Sequence, residues 1–234
     1  DLTRPFDPPW VGSDEAGKGD YFGPLVAAAV WVDDRILGLL EAIGARDSKA
    51  ITDASIPGLA AAIREIGGDG VAVVTIAPAR YNVIQSEMAG QGRNLNDLVA
   101  WAHAAAITQV RAARPASRAI VDRFADPRHL DAALRRRGGD PLEVLHAPRA
   151  EANLAVAAAS IVARAGFLAW FGGAGRRWGM DLPLGASDAV VAAGKRFVAK
   201  HGVGPLPEVA KLHFRTTLSV APALAKANPA RDPA

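Results

Sequence analysis

The 234-residue chain contains no cysteine, which removes disulfide frameworks, thiolate metal sites and cysteine nucleophiles together. Oxygen and imidazole are then the metal ligands that remain. The opening "DLTRPFDPPW" lacks a basic-then-apolar leader pattern, and no apolar run reads as long enough to span a bilayer. A soluble, cytoplasmic protein with no membrane partner is expected. Aromatic residues make up 6% of the chain, and its five tryptophans are scattered, Trp10, Trp31 and Trp101 among them, so core packing is expected of them rather than a base-stacking platform. Charge of either sign is not in excess: 27 Lys and Arg face 24 Asp and Glu, a net charge of +3. That balance permits a polyanionic partner without requiring one.

Half of the residues are apolar, enough for a substantial core. One domain over residues 1–220 is expected, with 221–234 as a flexible tail whose "LAKANPARDPA" is too poor in apolar pattern to pack strongly. "WVGSD" and "PLVAAAVWV" read as a hairpin around a glycine-rich turn, "VAVVTIAP" (71–78) as a valine-rich strand, and "RAIVDRF" (118–124) and "LEVLHAP" (142–148) as two more. Helices are expected over Leu37–Ile43, Asn94–Ala113, Glu151–Trp170 and Ser187–His201. Alternation of strands and helices implies an α/β fold, a central mixed sheet flanked by helices.

Four acids sit at element ends: Asp14 and Glu15 close the first strand, Asp122 closes "AIVD", and Glu151 opens the helix after "VLHAP". Sites in open α/β sheets gather at strand ends. Carboxylates brought together there repel unless a divalent cation neutralises them, so Mg2+ or Mn2+ is the natural occupant. Two such ions about 3.5–4 Å apart can activate a water and stabilise the leaving oxygen of a phosphodiester. Taken singly, each acid reads better as the cap of a turn or of a first helical turn, and it is their combination that points to a metal site.

The stretch "SDEAGKGDYFGPLV" (13–26) resembles the signature of type 2 ribonucleases H, with its Asp-Glu pair before a glycine-basic-glycine turn, and "GDYFGP" is most similar to the ribonuclease HIII branch. "RDSKAIT" (46–52), the Tyr-Asn and Asn-Leu-Asn elements of "YNVIQSEMAGQGRNLNDLVAWAHAAAI", "IVDRF", "AEANLAVAAASIVAR" and "AKLHFRTT" resemble further family motifs in order. Glutamate at 151, where the HII branch presents aspartate, also points to HIII. The resemblance implies a ribonuclease H-like fold with a helical C-terminal part, and a metal-binding, catalytic set of Asp14, Glu15, Asp122 and Glu151. In the family the first three hold the metals most directly and the fourth assists the second metal and product departure. The activity implied is endonucleolytic hydrolysis of the RNA strand of RNA/DNA hybrids, leaving 5′-phosphate and 3′-hydroxyl ends.

The resemblance further implies that the backbone of Gly17, Lys18 and Gly19 meets the 2′-hydroxyl that separates RNA from DNA, where glycine lacks a Cβ to obstruct approach and Lys18 can meet a phosphate. The spacing does not match a Walker loop. Lys49 and Arg164 are secondary phosphate contacts, supported by Ser48 and Ser160. His103, inside an apolar helix, and His213, near the C-terminus, are expected to be structural.

Two departures qualify the resemblance. Ribonuclease HII senses RNA–DNA junctions with a tyrosine in its C-terminal half, whereas Tyr21 and Tyr81 both precede the third acid. Ribonuclease HIII usually carries an N-terminal domain resembling the TATA-binding protein, which the roughly ten residues before the first strand are expected to be too few to form. A monomer acting without an obligate protein partner is expected. The alternatives are an HII-like enzyme incising at single ribonucleotides in DNA, and a non-catalytic hybrid-binding module.

Overall fold

Eight apolar residues in a row, Leu25–Val32, leave no face for water, and in the computed structural model they form strand β2, buried almost throughout. The structure describes residues 2–45 and 51–227, so Ser48 and Lys49 lie outside the described residues, as does the second half of the tail expected to be flexible. Strand β1 (Trp10–Ala16) pairs antiparallel with β2, Asp14 opposite Ala28, giving the expected hairpin. Strands β3 (Val71–Ile76), β4 (Arg118–Asp122) and β5 (Glu143–Ala147) complete a five-stranded mixed sheet of order β3-β2-β1-β4-β5. The β1–β4 and β4–β5 pairings are parallel.

The helices are α1 (Asp34–Ala42), α2 (Ile56–Gly67), α3 (Pro78–Ala89), α4 (Leu95–Ala113), α5 (Pro127–Arg137), α6 (Leu154–Trp178), α7 (Asp188–His201), α8 (Thr216–Val220) and α9 (Pro222–Ala227). Their starts follow local chemistry. Asp33 accepts the Ile36 amide at 2.7 Å to begin α1, and Asp126 accepts the Arg128 amide at 2.9 Å ahead of Pro127 to begin α5. Three arginines in the last turn of α5 sit at its negative end, and Gly138, at φ +69°, stops it.

Two compact units divide the chain. The first, Asp1–Ala16, Val26–Val74 and Val99–Gly166, holds most of the sheet. On one face of its sheet Val11, Ala119 and Val121 pack with Ala104, Ile107 and Val110 of α4 and Leu130 of α5. On the opposite face α6 lies directly on β1: a Cβ built on Gly12 would stand 2.3 Å from the carbonyl carbon of Ala155 and 2.4 Å from the Val156 nitrogen. The second unit, Gly17–Leu25, Thr75–Leu98 and Phe167–Ala234, has its own core of Tyr21, Phe22, Val190, Phe197, Leu206 and Val209. Leu224 of α9 packs against that core, so the first part of the tail is helical and attached.

Three expectations need correction. Helix α6 begins at Leu154, not at Glu151, because the Asn153 side chain accepts the Ala155 amide at 3.0 Å and fixes the start; Glu151 lies in a preceding 3-10 turn, Ala150–Ala152. The same helix is long and apolar enough to cross a membrane by length and composition, against the sequence reading; half of its most apolar stretch is buried within the protein, where its alanines allow close approach to β1. Trp101 is not a core residue: it is 42% exposed, with the Arg137 guanidinium 5.2 Å over its ring.

Gly12→Ala forces a methyl group into the α6 backbone and is expected to cost about 1–3 kcal/mol. Gly38→Ala, in the exposed interior of α1 with nothing within 4 Å of the new Cβ, is expected to add about 0.5–1 kcal/mol. Denaturant unfolding of the two variants beside the parent checks both signs.

Candidate active site

Consecutive residues of a strand point to opposite faces of the sheet, and β1 shows this in its partners. Gly12 meets α6 and Asp14 is hydrogen-bonded by Ser160 of α6. Ser13 and Glu15 instead both bond His103 of α4. Asp14 and Glu15 are therefore adjacent in sequence and supported from opposite sides.

Parallel pairing brings the third acid alongside the first. Ser13 is in register with Val121, and the next residue on each strand is Asp14 and Asp122, on neighbouring strands about 4.8 Å apart. Asp122 Oδ1 accepts the Ala150 amide at 2.9 Å, which ties the end of β4 to the turn that carries Glu151. Just before that turn Arg149 adopts φ +54°, ψ +44°, a left-handed conformation unusual for a residue with a Cβ. All four acids are partly exposed at these element ends.

Burial first, and the neighbouring Glu15 charge second, push the Asp14 carboxyl up to about 7; hydrogen bonds from Ser160 and the Glu15 amide, with His103, pull the other way. This carboxylate lacks a sufficient counter-charge. Among the described residues no three His, Asp or Glu side chains are grouped closely enough to hold a metal ion. The hydrogen bonds explain the spread: Asp14 takes the Glu15 amide and Ser160, Glu15 takes His103, and Asp122 takes the Ala150 amide. Like charges settle on separate donors. A carboxylate offers about four acceptor positions, so these bonds leave acceptor capacity for a hard cation, and an all-oxygen donor set suits Mg2+ or Mn2+.

The expected substrate residues divide. Ser160 bonds Asp14, and Arg164 is forked onto Asp53, Nε to Oδ1 at 3.1 Å and Nη2 to Oδ2 at 2.9 Å, which commits its guanidinium to a carboxylate. In the second unit, Gly17 is at φ +86° and its Cβ would fall 2.1 Å from the Pro24 carbonyl oxygen, so glycine is required there by the fold. A Cβ on Gly19 would have nothing within 4 Å, and its φ is not left-handed. Lys18 stands between them, half-buried.

Sequence reasoning missed Lys211. It is fully buried, and its Nζ donates to the carbonyls of Phe22 at 3.3 Å and Gly23 at 2.6 Å, anchoring the segment that follows the glycine turn. Burial pulls its amine down to about 7, partly opposed by Asp20. The available signal was a lysine amid the apolar run around "VAKLHF". His213 is packed as expected, its ring 5.4 Å from Tyr81 and 4.5 Å from Phe214.

Because the Asp14 pKa in the folded protein lies above its ordinary value of 3.8, its contribution to stability is present below about pH 4 and is lost as pH rises through about 7. In metal-free protein Asp14→Asn is expected to be indistinguishable from the parent in stability at pH 4. At pH 8 it should be more stable by about 1–3 kcal/mol, the part left after solvent screening. Thermal melts in chelator at the two pH values check this.

The ribonuclease HII family model matches residues 11–217. Ribonuclease HIII of Protochlamydia amoebophila is 39% identical over 208 residues, 89% of this chain and 67% of the relative, and ribonuclease HIII of Chlamydia caviae is 40% identical over 212 residues, 89% and 68%. The crystal structure of Bst-RNase HIII in complex with Mn2+ superposes with a TM-score of 0.84 at 33% identity, covering 97% of this chain and 72% of that one. With the acids of β1 and β4 set side by side on a mixed five-stranded sheet, and with these likenesses along nearly its whole length, the chain belongs to the type 2 ribonuclease H family.

Proposed function

We propose that the chain is an endoribonuclease that hydrolyses the RNA strand of RNA/DNA hybrids, with Asp14, Glu15, Asp122 and Glu151 holding Mg2+ or Mn2+. The observation that carries this reading is Asp14: a carboxylate at a strand end, beside Asp122 in register, whose ionisation is opposed by burial and by Glu15. A solved relative, Bst-RNase HIII, is described in complex with Mn2+, which supports the choice of ion. Once bound, the ions would supply the polarisation of the attacking water and the stabilisation of the departing 3′ oxygen, leaving a 5′-phosphate.

The residues of the chain supply the rest. Asp14 and Asp122 provide anionic oxygens from adjacent strands, held by Ser160 and the Ala150 amide. Glu151 lies in the turn whose first amide Asp122 accepts, so its backbone position follows that of Asp122. Gly17, Lys18 and Gly19 follow β1 directly in the chain and present backbone groups to the ribose, with Lys18 meeting a phosphate. Gly19 supports this assignment because nothing in the fold forbids a side chain there; what a Cβ would obstruct is an incoming strand. The Arg164 fork on Asp53 makes Arg164 a scaffold for α6 before it is a phosphate contact.

A labelled uniform hybrid, incubated with the protein in Mg2+ or Mn2+, is expected to be cut by the parent and not by Asp14→Asn or Asp122→Asn, although both variants bind it. Gly19→Ala should melt like the parent yet lose at least about tenfold in cleavage, the equivalent of about 1.4 kcal/mol. Uncut hybrid with the parent in both metals, together with retained hybrid binding, would replace this reading with a binding module.

A second duplex separates the HIII-like from the HII-like activity. Tyr21 is 0% and Tyr81 1% exposed, so neither ring can stack on a nucleic acid without unfolding its surroundings. A stacking contact is worth about 1–3 kcal/mol, and a DNA duplex with one embedded ribonucleotide is expected to be cut about 10–100-fold more slowly than the uniform hybrid. Equal rates would reassign the activity to single-ribonucleotide incision.

A further inference from the structure

The geometry points to His103 as the residue that positions Glu15 for metal binding, with Ser13 in turn fixing His103; the inference rests on the reading of Glu15 as a metal ligand. A glutamate side chain gives up about 1.5–2 kcal/mol of rotamer freedom when it is fixed. Glu15 also projects to the face of β1 opposite Asp14, so its carboxylate reaches a shared ion only if something steers it around the strand end. The structure supplies that support on the α4 side.

His103 is fully buried in α4. Its Nε2 lies 2.9 Å from Glu15 Oε2, and because a carboxylate only accepts, this nitrogen carries the proton and donates it. Its Nδ1 lies 2.7 Å from Ser13 Oγ, and the same hydroxyl is 2.8 Å from the Ala28 carbonyl oxygen on β2. Phe124, two residues beyond Asp122, stacks on the ring at 4.9 Å with the planes 4° apart. The imidazole is thus held at both nitrogens by β1 and on one face by the segment after β4, with β2 reaching it only through Ser13. Ser13 and Glu15 stand two apart on one face of β1, and the ring spans them.

A histidine buried only for packing needs neither of these partners to be a candidate ligand. Here one nitrogen addresses one of the four acids and the other addresses a hydroxyl anchored to the strand beside it. Partners that orient a metal ligand typically matter by about 10–100-fold in metal affinity or activity. His103 therefore acts through Glu15 and touches neither substrate nor ion.

The test is calorimetric titration of Mn2+ into metal-free protein, with hybrid cleavage followed in parallel across Mn2+ concentration. The parent is compared with His103→Leu, His103→Gln, Ser13→Ala, Glu15→Gln and the double variant His103→Leu/Glu15→Gln, each first checked by melting. His103→Leu is expected to weaken Mn2+ binding about 10–100-fold, with cleavage partly recovered at high Mn2+. His103→Gln, which retains an N–H donor near the Nε2 position, should recover part of the affinity, and Ser13→Ala should lose a smaller part. Adding His103→Leu to Glu15→Gln should cost nothing further. Parent-like Mn2+ affinity in folded His103→Leu overturns the inference. If that variant fails to fold, parent-like affinity in Ser13→Ala, which removes only a hydroxyl, overturns it equally. A parent protein that binds no Mn2+ and cuts no hybrid overturns the metal reading of Glu15 itself, an outcome distinct from parent binding that the variants leave unchanged.

Discussion

Strand β1 is sandwiched between helices, and the rest of the site depends on that constraint. Side chains alternate along a strand, so two consecutive acids must face opposite layers, and each layer has to provide its own support. On the α6 side Gly12 removes every atom that could hold the helix away, and Ser160 reaches Asp14. On the α4 side Ser13 and Glu15 are joined through one imidazole. The Asp-Glu pair is thus the visible end of a strand whose two faces are finished differently.

Electrostatics and packing act together on this strand. Close packing of α6 on β1 buries Asp14, and burial is the largest influence opposing its charge. A looser contact would leave the carboxylate better hydrated and its charge less opposed. Hydrogen-bond donors from four elements, the Glu15 amide of β1, Ser160 of α6, His103 of α4 and the Ala150 amide of the 3-10 turn, hold the acids apart. Glycines mark both extremes of the same logic: Gly12 and Gly17 are dictated by neighbouring atoms of the chain, Gly19 by none.

Much of this was legible in the sequence, for physical reasons that can be named. The five strands are short apolar runs bounded by glycine, proline or acids, and each appears within a few residues of its expected place. Helix α4 has a long apolar stripe, and α7 carries a serine before its first turn and a glycine after its last. Helices α2, α3 and α5 were not anticipated. Helix α5 carries five charged residues in eleven, with only Leu130 and Ala133 buried, and its readable sign was the Asp126-Pro127 start rather than any periodicity. Helix α3 buries Tyr81, Gln85 and Met88 in a polar context that mimics a loop. The start of α6 depended on one side chain, Asn153, which also takes the Trp10 indole N–H and donates to the Leu2 and Thr3 carbonyls. The four acids of the proposed site were singled out by position at element ends and by resemblance. His103 was read as structural, although a histidine on the stripe Val99, Ala106, Val110 is a buried polar group that must have partners; which partners is a tertiary fact. Arg164 was read as a phosphate contact because Asp53, 111 residues earlier, cannot be paired with it from sequence.

The Gly12 contact also bears on how the chain reaches this state. Trp10 and Asn153, bonded across it, are 143 residues apart, so β1 leaves the ribosome long before the helix that covers it exists. Until then β1 can be covered on its α4 side only, and α6, apolar enough to resemble a membrane span, emerges last among the elements that pack on it. Loop closure over such a separation slows folding, and in the interval an alanine- and valine-rich helix and a bare strand face each other as unpaired apolar surfaces. The contact that packs α6 onto β1 is therefore also the one whose late formation sets the window in which the nascent chain is open to misassociation.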